Sequence, residues 1–406
     1  MIRCINLDWL EVHVLEPRAL DAVYFEDCGW RVVQRDYGTR VYQQMFTLYT
    51  PDNEPFLEVR RAPSVSQEAA KFFEPNSVHL RLHNRSCYIK GCARLLYDFI
   101  HQHGYEFRRI YRIDLALDFE KFDTGDDPQK FLNRYLNGRY SKVNQTNITA
   151  HGKDLWDGRF WNSVSWGSPK SQISTKLYNK TMELREAKDK PYIRQAWASA
   201  GLVDDFIKLT KTAPDGTLYT PDIWRLEFSI RSSVRNWFVT EIDELGNKKI
   251  RSVHNTLIDY FTDIQILNVF ASLCSHYFHF KKFNPNQRKD RCPDKELFRF
   301  GTIEQFYTIE KVATAKPDDT TLKALAKKLE AYNQTHSNKT TREAVYSLLK
   351  AIYAEIERNA ATRPYNDSEA KLLQRLIAYR ITENKRSFDD DVKFIQELYK
   401  LAETIY

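Results

Sequence analysis

Strict alternation sets the first recognisable pattern in this chain. In SVHLRLHN, Val78, Leu80 and Leu82 alternate with His79, Arg81 and His83, the period of two expected of a strand with one face on a core. IKGCARLLYDFIHQHG then changes period, with Ile89, Cys92, Leu95, Leu96, Phe99 and Ile100 at helical spacing up to Gly104. That predicts a helix laid on the sheet by its apolar stripe. RIDLALDFE returns to alternation, and Asp127-Pro128 marks a short helix whose Phe131, Leu132 and Tyr135 face inward and whose end is Gly138. From about residue 140 to 170 the chain is polar, with turn signals and a strand edge at RFWNSVSWGS. Strand patterns resume at QISTKLYN and WRLEFSIR, and the aromatic-rich FASLCSHYFHFKKF closes the region.

Beyond about residue 316 glycine disappears and four amphipathic segments follow: DDTTLKALAKKLEAYNQ, TREAVYSLLKAIYAEIERN, DSEAKLLQRLIAYRI and FDDDVKFIQELYKLAETIY. Thr340 with Glu343, Asn366 with Glu369 and Ser387 with Asp390 supply capping signals. The expectation is an α+β fold over 1–315, mainly antiparallel sheet with packed helices, followed by an all-α domain over 316–406 with dimerisation or duplex binding as its role.

Composition narrows the class. The chain has 406 residues, 42% hydrophobic and 28% charged, in the range of globular proteins. It contains no run of about 18 apolar residues, and Asp8, Glu11 and His13 interrupt the N-terminal apolar stretch. The expectation is a cytoplasmic protein without membrane contact. The six cysteines form no CxxC pair and the ten histidines no zinc pattern. A net charge of +7 suits a nucleic-acid partner without requiring one.

Three short stretches carry candidate chemistry. In RIDLALDFE, Arg112, Asp114 and Asp118 share one strand face while Ile113, Leu115 and Leu117 share the other. Carboxylates there are costly unless the face is wet, paired or metal-bound, and a solvated face explains the pattern equally well. In WRLEFSIR, Glu227 lies between Arg225 and Arg231 on the polar face, as a metal ligand or as part of a salt-bridge ladder. Asp114 and Asp118, about 13 Å apart along a regular strand, cannot share an ion unaided, but either could join Glu227 in a magnesium site. In KLYNK, Lys176 and Lys180 flank Tyr178. Cations there favour the phenolate and can neutralise a phosphodiester.

Taken in order, RIDLALD, GSPKS with KLYNK, and WRLEF resemble the replication initiation factor family, the Rep-trans type of rolling-circle initiators and related conjugative-element relaxases. The opening LDWLEV resembles that family's N-terminal strand, and the resemblance spans roughly residues 5 to 310. It implies an endonuclease and strand transferase in which Tyr178 attacks an origin phosphate, leaving a 3′-hydroxyl and a 5′-phosphotyrosyl enzyme. Asp114 and Glu227, helped by Asp118, would hold Mg2+ or Mn2+, and Lys176 and Lys180 would offset the growing charge. Lys176 stands where the family often has arginine. The implied activity is initiation of rolling-circle replication of a plasmid or mobile element, with a relaxase acting at an origin of transfer, a non-catalytic DNA-binding regulator and a water-dependent metal nuclease as alternatives. Implied partners are origin DNA, a host helicase or polymerase, and a second copy of the chain.

DNA contacts are expected from Arg108, Arg109 and Arg112 before the carboxylate strand, from Lys170 in the turn, and from Arg225. SHYFHFKKFNPNQRKDR interleaves Tyr277, Phe278, Phe280 and Phe283 with Lys281, Lys282, Arg288, Lys289 and Arg291, a pattern able to stack bases and follow phosphates. Core aromatics beside a solvated basic loop are the other reading. His79 and His83 read as solvent-facing or DNA-facing, and Trp156, Trp161 and Trp166 as packing residues.

Overall fold

The computed structural model describes residues 2–64, 73–144, 147–155, 158–168, 171–186, 190–231, 236–242, 248–301 and 307–308. The chain divides at Lys311/Val312. The second unit, with the helical domain expected over 316–406, lies outside the described residues, as does Lys170.

In chain order the strands are β1 (Arg3–Leu15), β2 (Arg31–Gln34), β3 (Tyr42–Tyr49), β4 (Pro55–Pro63), β5 (Ser77–Leu82), β6 (Glu106–Phe119), β7 (Tyr140–Lys142), β8 (Ile148–Leu155), β9 (Gly158–Trp166) and β10 (Ile173–Asn179). They continue with β11 (Lys211–Thr212), β12 (Leu218–Tyr219), β13 (Trp224–Arg231), β14 (Asn236–Ile242), β15 (Lys248–His254), β16 (Phe280–Lys282), β17 (Asp294–Lys295) and β18 (Tyr307–Thr308). The helices are α1 (Ala22–Asp27), α2 (Cys92–Gln102), α3 (Pro128–Leu136), α4 (Lys180–Glu186), α5 (Pro191–Ser199) and α6 (Asp263–Tyr277). Ten strands form one sheet in the order β2-β3-β4-β5-β1-β6-β13-β10-β9-β8. Its pairings are antiparallel throughout, so the α+β, mainly antiparallel expectation holds for this unit.

Alternation decides which face is core. Ile113, Leu115 and Leu117 of β6, Leu226 and Phe228 of β13 and Leu177 of β10 are all buried in one cluster with Leu96, Phe99 and Ile100 of α2 and Phe131 and Leu132 of α3. Each such side chain contributes roughly 1.5–3 kcal/mol by leaving water. Helix α2 is followed by Gly104 at φ 70° and α3 by Gly138 at φ 75°, and Asp127 caps α3 by accepting from the Lys130 amide, as those sequence signals predicted. A smaller cluster of Cys4, Leu184, Ile193, Trp197, Leu202, Val203 and Ile223 seats α4 and α5 at the β6–β13 end marked by Cys4, which is the register partner of Asp118. This end of the polar face is therefore covered.

The aromatic-rich segment is a helix followed by the short strand β16. FASLCSHY belongs to α6, which opens on a capping box between Thr262 and Gln265 and buries Ile266, Val269, Phe270, Leu273 and Tyr277. Tyr277, Phe278 and Phe280 are core side chains, leaving Phe283 exposed. Lys281 is held by the carbonyls of Asp290 and Cys292 and by Asp294, and exposed Arg288 lies beside Asp290. The expected base-stacking track is thus corrected to a core helix and its basic loop, because three of its four rings, Tyr277, Phe278 and Phe280, are buried. Lys282 is exposed, and the side chain of Lys289 lies outside the described residues. His79 is also corrected: it is buried against Glu11 at 3.3 Å, whereas His83 is exposed. All six cysteines are free, and all but Cys28 are buried.

Candidate active site

Register places the three candidate stretches side by side. On β6, β13 and β10, Asp118 lies across from Arg225 and Arg225 across from Tyr178. Glu227 lies across from Ala116 and Lys176, and Ser229 across from Asp114. All of these project from the polar face, since their neighbours in each strand are core. Tyr178 ends that face of β10, and Asn179 turns the chain by accepting from the Met182 amide at 2.9 Å while donating to Asp222 at 2.6 Å. Lys180 therefore starts α4 and folds back over the tyrosine. In the connection before β10, Gly167 adopts φ 87° and the Ser168 amide donates to the Ser171 hydroxyl at 2.9 Å. A left-handed glycine there lets the β9–β10 connection close without a Cβ penalty.

The Tyr178 hydroxyl donates to Glu227 Oε2 at 2.9 Å. Lys176 Nζ stands 4.4 Å from the Tyr178 ring centroid, and Lys180 Nζ 5.3 Å from the centroid and 3.5 Å from the hydroxyl. Lys176 is exposed, whereas Lys180 is buried and paired with Glu183. Burial, then the Glu227 carboxylate, push the phenol well above its ordinary range. The two lysines do not reverse that balance, so the expected preference for phenolate is corrected: the resting group is a neutral phenol. Glu227 is itself moved from 4.5 to about 7 by burial and by the charges of Asp8 and Asp114. Burial likewise lowers the proton affinity of Lys180.

Asp8 is the residue that the sequence reading passed over. A bulge between Leu7 and Trp9 in the β1–β6 pairing leaves it without a register partner, and such an extra residue re-aims side chains. Asp8 Oδ1 accepts from Arg225 Nη1 at 2.7 Å and from the Tyr88 hydroxyl at 2.6 Å. Burial opposes its charge, but Arg225 and Lys180 prevail and hold it at about 2. A signal was present, since core residues Leu7, Leu10, Val12 and Val14 break from alternation between 7 and 10.

The remaining expected residues separate into distinct roles. Asp118 is fully buried, with Arg225 donating to both of its oxygens at 2.6 and 2.7 Å and Trp197 Nε1 at 2.7 Å. The expected metal role of Asp118 is therefore not what its geometry provides, and Arg225, with no exposed surface, is a buried ion-pair hub rather than a DNA contact. Asp114 accepts from Arg112 at 3.0 and 2.5 Å and from Ser229 at 2.5 Å. Burial raises its proton affinity despite these donors. Arg108 pairs with Glu106 and Glu74. Arg109 is the register partner of His13, nine residues along β6 from Asp118 or roughly 30 Å at 3.3 Å per residue, so neither is gathered to the tyrosine. Trp166 is buried and donates to the Tyr135 hydroxyl.

Hard oxygen donors dominate this site. Asp8 Oδ2 and Glu227 Oε1 accept no hydrogen bond among the described residues, and these two atoms suit a divalent ion that takes its other ligands from water and phosphate. Among the described residues no group of three His, Cys, Asp or Glu could hold an ion by itself.

No family model matches the sequence, and no curated protein matches it. Among solved structures, a rolling circle replication initiator protein from Geobacillus stearothermophilus is similar over 72% of this chain and 93% of its own, at 12% identity and a TM-score of 0.41. So distant a likeness leaves function to the chemistry of the site.

Proposed function

We propose that this protein nicks and rejoins one strand of DNA through Tyr178, as an initiator of rolling-circle replication, with Mg2+ or Mn2+ as its cofactor. The observation that carries the reading is the Tyr178 hydroxyl held on Glu227 between two lysines, on a sheet face that is polar across its neighbouring strands. A buried neutral phenol is a poor nucleophile until its proton has an acceptor, and Glu227 Oε2 is already placed to take it. The Tyr178 oxygen forms the new bond to phosphorus as the bond to the 3′ oxygen breaks. That oxygen leaves as a hydroxyl with a proton from water, and the 5′-phosphate stays on the tyrosine. Exposed Lys176 and buried Lys180, both close to the Tyr178 ring, offset charge on the non-bridging oxygens. Transesterification keeps one phosphoester for another, so rejoining needs no nucleotide energy source.

The metal reading rests on the open oxygens of Asp8 and Glu227. When bound, the ion supplies Lewis-acid polarisation of the phosphate. Arg225 and Tyr88 both donate to Asp8 Oδ1, so Oδ2 keeps its lone pairs for an ion.

The test is incubation of the protein with supercoiled DNA carrying its origin and Mg2+ or Mn2+, followed by a search for protein-linked 5′ ends. Wild type is expected to form them and Tyr178→Phe to form none. Normal attachment by the Phe variant would refute the assignment, and nicking without attachment would show that water is the nucleophile.

A further inference from the structure

We infer that the polar sheet face carries a second subsite beside the tyrosine, in which Arg231, Arg112 and Trp9 hold the unpaired DNA that flanks the reacting phosphate. The inference rests on the strand-nicking reading, because it takes the ligand from that chemistry. Arg231 of β13 lies directly across from Arg112 of β6, and like charges in that position are destabilising. The neighbouring carboxylates do not relieve the pair equally. Asp114 binds Arg112 through Nε and Nη2, which leaves the Nη1 edge uncommitted, while exposed Arg231 has no ion pair among the described residues.

Relative exposure fixes the sign of this surface. Glu11 and Asp114 are buried, and the Glu58 side chain is only 12% exposed, whereas Arg112 is 33% exposed and Arg231 and Lys176 face solvent. Cations stand outermost, over carboxylates that orient them. Trp9 adds an aromatic element: the guanidinium of Arg81 lies 3.5 Å from its ring centroid and that of Arg112 4.4 Å. Glu11 accepts from the indole N–H, which fixes the ring. Planar guanidinium layers beside an aromatic ring are suited to bases and phosphates together.

Distance separates this subsite from the reaction. Arg231 is four residues from Glu227, about 13 Å along β13 at roughly 3.3 Å per residue. Its guanidinium therefore meets a neighbouring nucleotide, not the phosphate on Tyr178. Single-stranded DNA is the occupant that combines repeating negative charge with exposed bases, and the register row Arg231, Arg112, Glu11, Arg81 runs across β13, β6, β1 and β5 as such a chain would.

The experiment measures binding of a fluorescein-labelled single-stranded oligonucleotide by anisotropy over a range of salt, in the Tyr178→Phe background so that no covalent link forms. Arg231→Ala is expected to weaken binding and to flatten the plot of log Kobs against log[salt] by about 0.7, the loss of one phosphate contact to a single strand. Arg231→Lys is expected to restore the slope but not the full affinity. Trp9→Phe is expected to lower affinity without changing the slope. An unchanged slope in Arg231→Ala, or no binding of single strands at all, overturns the subsite. Because attachment is measured separately on the Tyr178 protein, a slope that falls in a protein that never attaches to DNA would leave the subsite standing and refute only the nicking reading.

Discussion

Replacing Glu227 by Gln isolates the electrostatic cost of the site. The amide keeps an oxygen for the Tyr178 hydroxyl, which lies 2.9 Å from Glu227 Oε2, while removing the charge that Asp8 and Asp114 oppose. A carboxyl moved from 4.5 to about 7 binds its proton more tightly in the folded state than in the unfolded one. Its contribution to stability is therefore full below pH 4.5 and is lost as the pH rises through 7. Integrating the linkage relation between those limits, ionisation of the unfolded chain disfavours the fold by about 1 kcal/mol near about pH 5.5 and about 3 kcal/mol near about pH 8.5. Glu227→Gln is relieved of this, so its stability relative to wild type should rise by about 2 kcal/mol between those two conditions. Urea unfolding followed by tryptophan fluorescence at both pH values measures the difference. An offset that stays constant with pH would refute the reasoning, because only a charge can make it vary.

Three other outcomes follow from the same geometry. Arg225→Met leaves Asp118 buried without its counter-charge and should cost about 3–5 kcal/mol in urea unfolding, far more than a surface arginine. Trp197→Phe removes the 2.7 Å bond to Asp118 and should cost about 1–3 kcal/mol, an effect that should largely vanish once Arg225 and Asp118 have been replaced together by apolar residues. Mg2+ or Mn2+ should raise the melting temperature of the wild-type protein above pH 7, where Glu227 is ionised, with a gain of about 2.7 kcal/mol at a hundredfold excess over Kd. Chelation should reverse it, and Asp8→Asn should abolish it.

Alternation made the sides of the strands legible but not their exposure. WRLEFSIR placed Trp224, Leu226, Phe228 and Ile230 against the core, and that is where they lie. The same reading put Arg225 and Arg231 on one polar face without distinguishing them, yet one is sealed in an ion-pair hub and the other stands in solvent. What separates them is a helix from elsewhere in the chain, since α5 brings Trp197 over Asp118. Periodicity is local, and a covering element is not. Helix α6 was hidden for a related reason: its apolar residues run nearly all round, from Ile266 to Tyr277, as befits a buried helix, so no stripe marks its period. Asp8 depended on a one-residue bulge that only the phase slip between Leu7 and Leu10 betrayed.

This graded burial also accounts for where the tyrosine sits. Behind Tyr178, Asp118 and Arg225 form a fully buried ion pair, and Asp8 shares the same guanidinium from a partly exposed position. Ahead of it, Lys176 and Arg231 face water. A phosphate arriving from the open side would meet fixed charges whose orientation has already been set during folding, in a region where water screens them weakly. Moving the tyrosine two residues toward Ser174 would gain accessibility but lose Glu227 and Lys180, while moving it deeper would deny it a substrate. Tyr178 occupies the last place on β10 at which both conditions hold, and Asn179, by turning the chain immediately afterwards, keeps it there.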